Sequence, residues 1–593
     1  MSGQEKANLP PAFEGPREKG TYMSQTARVW LRLARRALGM REDQLFLLLA
    51  VAIGIFAGLA VVCFRIAMDW VHVSLLGSSL SASPQRVILV PTIAGLVIAL
   101  LVMHVFPRVR GSGVNQTKSA VYIYDGYIPF RTVIGKFVTC ALAIGSGQSL
   151  GPEDPSLQIG AGIASKLARG LRFSQEKLRL IAPVGAAAGL AAAFNAPISA
   201  VLFVIEEVIG TWTGGVLGAI VLAAVSSVVT MRWFLGGEPL FRIPVFRFER
   251  PVELLAYILL GIVGGIVSLI FLKFIAFARP RMKSLPRWTQ YLQPAGAGFL
   301  VGLIGVWFPQ VMGAGYPFVD QALHNQYAWK ILLLLGLLKI LTTGISFVSG
   351  TPGGMFAPTS FIGAMIGGAV GGAEHLVLPR LTSPVAAFAL VGMGTLFAGF
   401  LRTPITSVFM VIEVSGSYSA ILPVMVSNLI AYLISRRYQA IPLFDLLSRQ
   451  DGTNLPSMEE LREHLILRVE DAMRPSDTVF LRAEEPLSAA LASAEGNREP
   501  FFLIHEPGGE WRVLSAGQLQ TPRTATQPPH TVGELSSEGP LPYLYPDQSL
   551  EEGLRQVADW PLLPVVNRAN LDLLEGVITL NGILRAYRTP PKS

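Results

Sequence analysis

One segment of this chain occurs twice. Pro197–Glu206, Pro-Ile-Ser-Ala-Val-Leu-Phe-Val-Ile-Glu, returns as Pro-Ile-Thr-Ser-Val-Phe-Met-Val-Ile-Glu at Pro404–Glu413, an offset of 207 that Val184-Gly185 and Val391-Gly392 share. Upstream, Pro155-Ser-Leu-Gln-Ile-Gly-Ala161 is echoed by Pro358-Thr-Ser-Phe-Ile-Gly-Ala364 at an offset of 203, which sets Glu153 opposite Phe356. Apolar segments interrupted by Gly and Pro at matching places in two halves point to a transporter, with its site where the halves meet. The fold expected is therefore α: a polytopic membrane protein of two related helical halves with broken helices.

Apolar spans fall at about 44–70, 86–106, 131–145, 178–206, 214–235, 253–279, 294–308, 329–348, 355–378, 384–401, 404–414 and 420–435. Several depart from the ~20 residues of a perpendicular crossing, so tilted and broken helices are expected. Only 15% of the residues are charged, against roughly 25% in soluble chains. The net charge of +8 resides partly in Arg28, Arg32, Arg35, Arg36 and Arg41 before the first span and Arg436 and Arg437 after the last. By the positive-inside rule these put both ends of the membrane region in the cytoplasm, and they argue against nucleic acid as a partner. The first span is too long for a signal peptide and reads as a retained helix. Residues 1–40 read as a cytoplasmic segment with a basic amphipathic helix at 24–40. The membrane domain is expected at 41–450, with repeats at about 41–235 and 250–450, in a multi-pass arrangement in the plasma membrane. Beyond it the chain turns acidic and has no spanning run, so 466–593 is read as a small cytoplasmic domain. Cys63 and Cys140, both in apolar runs, form neither a disulfide framework nor a metal site and are expected to be packed core thiols.

The stretch from Gly145 to Gly160 places Glu153 between Pro152 and Pro155 in otherwise apolar sequence. Proline is tolerated in a helix's first turn, and a helix N-terminus attracts anions through its free N–H groups and dipole. A carboxylate there could occupy an anion site and leave it when protonated, which is the beginning of a gate. Glu206 and Glu413 recur in both halves and are expected to hold backbone N–H groups. Glu207 faces Val414 in the repeat, and a carboxylate on one half alone is better explained by function than by architecture.

Gly111-Ser-Gly-Val-Asn115, Gly151-Pro-Glu-Asp-Pro155, Gly353-Gly-Met-Phe-Ala-Pro358, and Asn195-Ala-Pro197 with Ile205-Glu-Glu207 occur in that order. With them the chain resembles the CLC family of chloride channels and chloride/proton antiporters over roughly residues 30–450; the first three look like its GSGIP, G(K/R)EGP and GGxFxP motifs. The resemblance implies two inverted-topology helical repeats, a homodimer with one pore per subunit, chloride and protons as the transported partners, and no cofactor. It makes Ser112 and the N–H groups of Met355 and Phe356 the anion ligands, neutral donors that can bind an anion and still release it. Serine at position 112 favours chloride, since nitrate-preferring members resemble this loop with proline there. Glu153 becomes the gating glutamate and Glu207 the internal proton-transfer glutamate of antiporters. Three positions depart from the pattern. The pore tyrosine appears as Phe444 in Pro442-Leu-Phe444, which keeps the ring without the hydroxyl and predicts weaker anion binding and looser coupling. Pro152 and Asp154 replace the residues flanking the gate, so Asp154 must be paired, protonated or turned away. Asn115 replaces a proline.

The tail resembles a pair of CBS modules, an α/β domain, through Val469-Glu-Asp-Ala-Met-Arg-Pro475 and Leu574-Glu-Gly-Val-Ile-Thr579. Nucleotide-binding members carry an acidic residue three places after the Ser/Thr of the strand. Here Ser515 is followed by Gln518 and Thr579 by Gly582, so adenine nucleotide is not expected and a dimerising platform remains. The leading function is a chloride/proton antiporter gated by Glu153; the alternative is a passive, voltage- or pH-gated chloride channel of the same fold. An intramembrane enzyme is disfavoured: His505-Glu506 is followed by Pro-Gly-Gly rather than completing His-Glu-x-x-His, and Gly135-Lys136 lacks the other Walker A residues. A metal-ion transporter would want more free carboxylates in the membrane segments.

Overall fold

The computed structural model describes residues 42–588 except 78–82, 170, 172, 211–213, 242–250, 378–382, 454, 459–466, 475–479, 496–499, 506–509, 521–529 and 536–538. The amphipathic helix expected at 24–40 lies outside the described residues. The chain divides into two compact units between Met458 and Glu459.

The first unit is helical. Its first half runs through α1 (Glu42–Leu76), α2 (Pro84–Leu100), α3 (Gly113–Tyr122), α4 (Phe130–Gly145), α5 (Glu153–Ala168), α6 (Gln175–Phe194), α7 (Pro197–Phe203) and α8 (Gly214–Leu235). The second half repeats that order with α9 (Leu254–Ser284), α10 (Gln293–Trp307), α11 (Tyr316–Leu323), α12 (Trp329–Val348), α13 (Phe356–Val377), α14 (Val385–Leu401), α15 (Pro404–Ser415) and α16 (Ile421–Tyr438). A short α17 (Leu443–Gln450) follows. Among the described residues, eight helical segments are long and apolar enough to cross a membrane, so the chain is an integral membrane protein.

The span expected at 178–206 is in fact two helices. Asn195 takes a left-handed conformation, φ 56°, and Pro197 has no N–H with which to continue α6, so the chain breaks and restarts as α7. A π-helical stretch, Val204–Ile209, then extends α7. The short helices α3, α11 and α17 escape a hydropathy reading because none is long enough to span. One of the two cysteines also differs from expectation: Cys140 is buried as expected, but Cys63 is exposed on α1.

Reciprocal contacts tie the halves together. The Glu206 carboxylate accepts hydrogen bonds from the N–H of Thr406 (2.9 Å) and Ile405 (3.4 Å) and from the Thr406 hydroxyl (2.7 Å). The Glu413 carboxylate accepts from the N–H of Ser199 (2.7 Å) and Ile198 (3.0 Å) and from the Ser199 hydroxyl (2.5 Å). Each half thus caps the other's post-proline helix, α7 or α15, at the N–H groups a helix cannot satisfy itself. Gly151 and Gly354, related by the repeat, exchange N–H···O bonds of 2.8 Å in both directions. Contacts in which i meets j and j meets i arise when the two halves are related by a two-fold axis. Within each half, glycines let backbones touch. A Cβ on Gly185 would lie 2.7 Å from the Gly160 carbonyl carbon, and one on Gly367 would lie 2.9 Å from Gly392 Cα. Small residues at such faces are how membrane helices pack closely.

The second unit is α/β. β1 (Phe480–Arg482) pairs parallel with β2 (Phe501–His505), which pairs antiparallel with β3 (Trp511–Ser515). β4 (Leu563–Val566) and β5 (Leu574–Ile578) form an antiparallel pair, and every residue of β4 is buried. The helices are α18 (Val469–Ala472), α19 (Leu487–Glu495), α20 (Ala516–Gln520), α21 (Leu550–Val557) and α22 (Leu580–Arg588).

Candidate functional site

Four helices begin close to one buried point. The reciprocal Gly151–Gly354 bridge pins the loops that enter α5 and α13 against each other. Glycine at 151 leaves room for this approach: a Cβ there would lie 2.5 Å from Glu153 Oε2 and 3.0 Å from the Ala357 Cβ. Glu153, the first residue of α5, is fully buried and turns its carboxylate to the N-terminus of α13, where the Ala357 N–H donates to Oε2 at 3.2 Å. Oε1 has no hydrogen-bond partner among the described residues. The first N–H groups of α13 have no acceptor within the helix, and Met355 and Phe356, which the resemblance makes anion ligands, stand at this terminus. A buried carboxylate and an anion-attracting helix end therefore share one location.

Ser112 is the N-cap of α3: its side chain accepts from the Val114 N–H at 3.2 Å. The same N–H donates to Asp154 Oδ1 at 2.8 Å, and the Ser112 hydroxyl donates to that oxygen at 3.2 Å. Asp154 is thus paired, to the loop of Ser112. Two consecutive residues, Glu153 and Asp154, hold the ends of two different helices, α13 and α3. Gly113 permits the approach, since a Cβ there would lie 3.0 Å from Asp154 Oδ1. The loop before Ser112 is held by Lys136 of α4, whose Nζ donates to the carbonyls of Gly111 (2.8 Å) and Val109 (3.3 Å). Lys339 repeats this in the second half with Gly313 (2.7 Å) and Val311 (3.0 Å). Lys136, weighed in the sequence only as a fragment of a nucleotide loop, is a buried strut of the fold. A cavity of about 200 Å³ lined by Arg110, Arg279, Lys283 and Asp451 reaches Gly111, beside Ser112.

Phe444, at the start of α17, is buried, with its ring centroid 6.3 Å from those of Phe203 and Phe356. Asn115 donates to its carbonyl at 2.9 Å. The asparagine that departs from the family pattern therefore anchors the segment carrying the aromatic residue, a bond that a proline could not make.

Glu207 lies in the π-helical stretch after α7, buried, with Oε1 3.0 Å from Lys118 Nζ. Lys118 is wholly buried and also meets Asp445 Oδ1 at 3.0 Å. Sequence reasoning found Glu207 and missed both partners. Lys118 sits on a short polar helix and reads as a surface lysine, while Asp445 is 327 residues away from it. Two signals were available: Asp445 adjoins Phe444, and a one-sided carboxylate in an apolar segment needs a counter-charge. Among the described residues, no group of three or more His, Cys, Asp or Glu side chains could hold a metal ion.

Reciprocal helical halves with broken helices, meeting where helix N-termini and a buried carboxylate converge, define an ion transporter of the inverted-repeat kind. A family model described as voltage gated chloride channel matches residues 94–436, and the chain belongs to that family. A ClcB-like chloride channel protein from Ralstonia nicotianae is 32% identical over 430 residues, which are 69% of this chain and 99% of that protein. The H(+)/Cl(-) exchange transporter ClcA of Vibrio campbellii is 30% identical over 416 residues, 68% of this chain and 88% of that one. Among solved structures, a slow cyanobacterial Cl-/H+ antiporter superposes with a TM-score of 0.65 at 25% identity, covering 70% of this chain and 99% of that one.

Proposed function

We propose that this chain is a chloride/proton antiporter. The observation that carries the reading is the Glu153 carboxylate seated on the α13 N-terminus at 3.2 Å. A group there that alternates between charged and neutral forms admits an anion only in exchange for its own charge, so proton and anion share one position. Chloride is bound by the Ser112 hydroxyl and the N–H groups of Met355 and Phe356, beside the ring of Phe444. Glu153 gates, and Glu207 passes the proton to the inner side, with Lys118 and Asp445 fixing its place. Support for exchange comes also from the relatives named H(+)/Cl(-) exchange transporters. Two copies assemble, each with its own pore, in the plasma membrane with both termini cytoplasmic. The tail is a CBS-like platform, and no cofactor takes part.

The test uses purified protein in sealed liposomes with a chloride gradient and a pH-sensitive dye. Proton movement against its gradient, lost in Glu207→Ala while chloride still flows, is the expected result. Chloride flux without proton movement in the unaltered protein would support the second reading, a channel of this fold. That reading is favoured by Phe444, which lacks the phenol hydroxyl, and by Glu207, whose charge Lys118 already offsets. Phe444→Tyr then separates an exchanger uncoupled at the ring, which regains proton movement, from a channel, which does not.

A further inference from the structure

We propose that Asp154 is a second gate, a tethered carboxylate that occupies the anion position at the α3 N-terminus and competes there with the transported anion. The inference rests on the chloride-transport reading and deepens it.

Asp154 Oδ1 accepts from the Val114 N–H at 2.8 Å and from the Ser112 hydroxyl at 3.2 Å. These are the donors that an anion arriving at Ser112 would use. Although Asp154 is the second residue of α5, it reaches out of its own helix to the end of the ten-residue α3, and it is only 3% exposed. A buried carboxylate on these donors puts a negative charge where the helix end favours one, and a halide at Ser112 would need the same donors.

The repeat separates this role from a scaffolding one. Residues that shape both halves recur: Gly151 with Gly354, Pro155 with Pro358, Lys136 with Lys339. The counterpart of Asp154 is Ala357, and that of Ser112 in Gly111-Ser-Gly is Ala314 in Gly313-Ala-Gly. The donor and its tethered acceptor occur on the same half only, together. The charged and titratable groups whose fields reach Asp154 are Glu153 beside it and Lys136 and Cys140 of α4. Lys136 also binds the carbonyls of Gly111 and Val109, so its field favours an anion at α3 whether that anion is the carboxylate or a chloride. With Glu153 on α13 and Asp154 on α3, both helix ends are capped by the chain itself, and a chloride must displace one carboxylate at each.

The test is calorimetric titration of chloride into the detergent-purified full chain, comparing the unaltered protein with Asp154→Gly and Asp154→Asn. Removing a competing charge from a helix end is expected to tighten chloride binding about tenfold in Asp154→Gly, with Asp154→Asn between. Unchanged or weaker binding in both variants overturns the proposal and leaves Asp154 as a brace for the Ser112 loop. Should the glycine variant aggregate, the isosteric Asp154→Asn decides alone: tighter binding supports the gate, unchanged binding refutes it. Liposome flux of the unaltered protein is measured in parallel. Absent flux there breaks the transport reading, whereas the titration reports on Asp154 without requiring transport.

Discussion

Lys118 Nζ lies 3.0 Å from both Glu207 and Asp445, and the lysine is completely buried. Removing a partner from a buried ion cluster strands the remaining charges, a loss of about 3–5 kcal/mol. Lys118→Met is therefore expected to lower the thermal midpoint of the detergent-solubilised protein sharply. The neutral triple variant Lys118→Met, Glu207→Gln, Asp445→Asn should recover much of that loss; equal midpoints for the single and triple variants would show that charge is not the cause. At this scale the sequence exposes whatever breaks an apolar pattern or fits a motif, as Glu153, Ser112 and Glu207 do. It hides Lys118 and Asp445, because a lysine on a polar helix and an aspartate in a helix's first turn look ordinary until chain topology brings them together.

Between elements, the strongest ties are the caps that the halves exchange. Glu413 serves the N–H groups of Ile198 and Ser199 and the Ser199 hydroxyl, and it is not among the residues proposed to carry anion or proton. Glu413→Ala leaves these donors without their charged acceptor, a destabilisation of about 2–4 kcal/mol from bonds to an ionised group and the desolvated N–H groups left behind. The expected outcome is a lower thermal midpoint with chloride flux per folded molecule preserved. An unchanged midpoint would mean that water replaces the carboxylate at no cost. The repeat made both carboxylates legible as architecture, since chance does not place Pro-Ile-x-x-Val-x-x-Val-Ile-Glu twice. It did not reveal that each crosses to the opposite half, because a sequence offset carries no direction in space. Hydropathy likewise placed the long spans but merged α6 with α7, since Asn195 and Pro197 interrupt the helix without interrupting its apolar character.

For the whole molecule, the question is what the second unit contributes. The Ralstonia relative is matched over 99% of its own length by 69% of this chain, and the cyanobacterial antiporter over 99% by 70%. Proteins of this fold therefore exist with little beyond the helical unit. Here the second unit has its own apolar clusters, one around Val469, Leu544, Val565 and Ile578 and another around Leu481, Phe502, Ile504 and Leu514. A unit with its own core folds without borrowing side chains from its neighbour. The helical unit should likewise survive alone, with a boundary after Met458 that keeps the Met458 sulfur 4.0 Å from the Tyr122 hydroxyl. A chain ended there is expected to enter the membrane, elute as a single species in detergent, and carry chloride into liposomes at a rate within about threefold of the full chain, since a threefold change is well under 1.4 kcal/mol. Loss of flux with a normal elution profile would make the second unit part of gating. Aggregation would instead make it necessary for assembly, and the second unit would then be structural before it is regulatory.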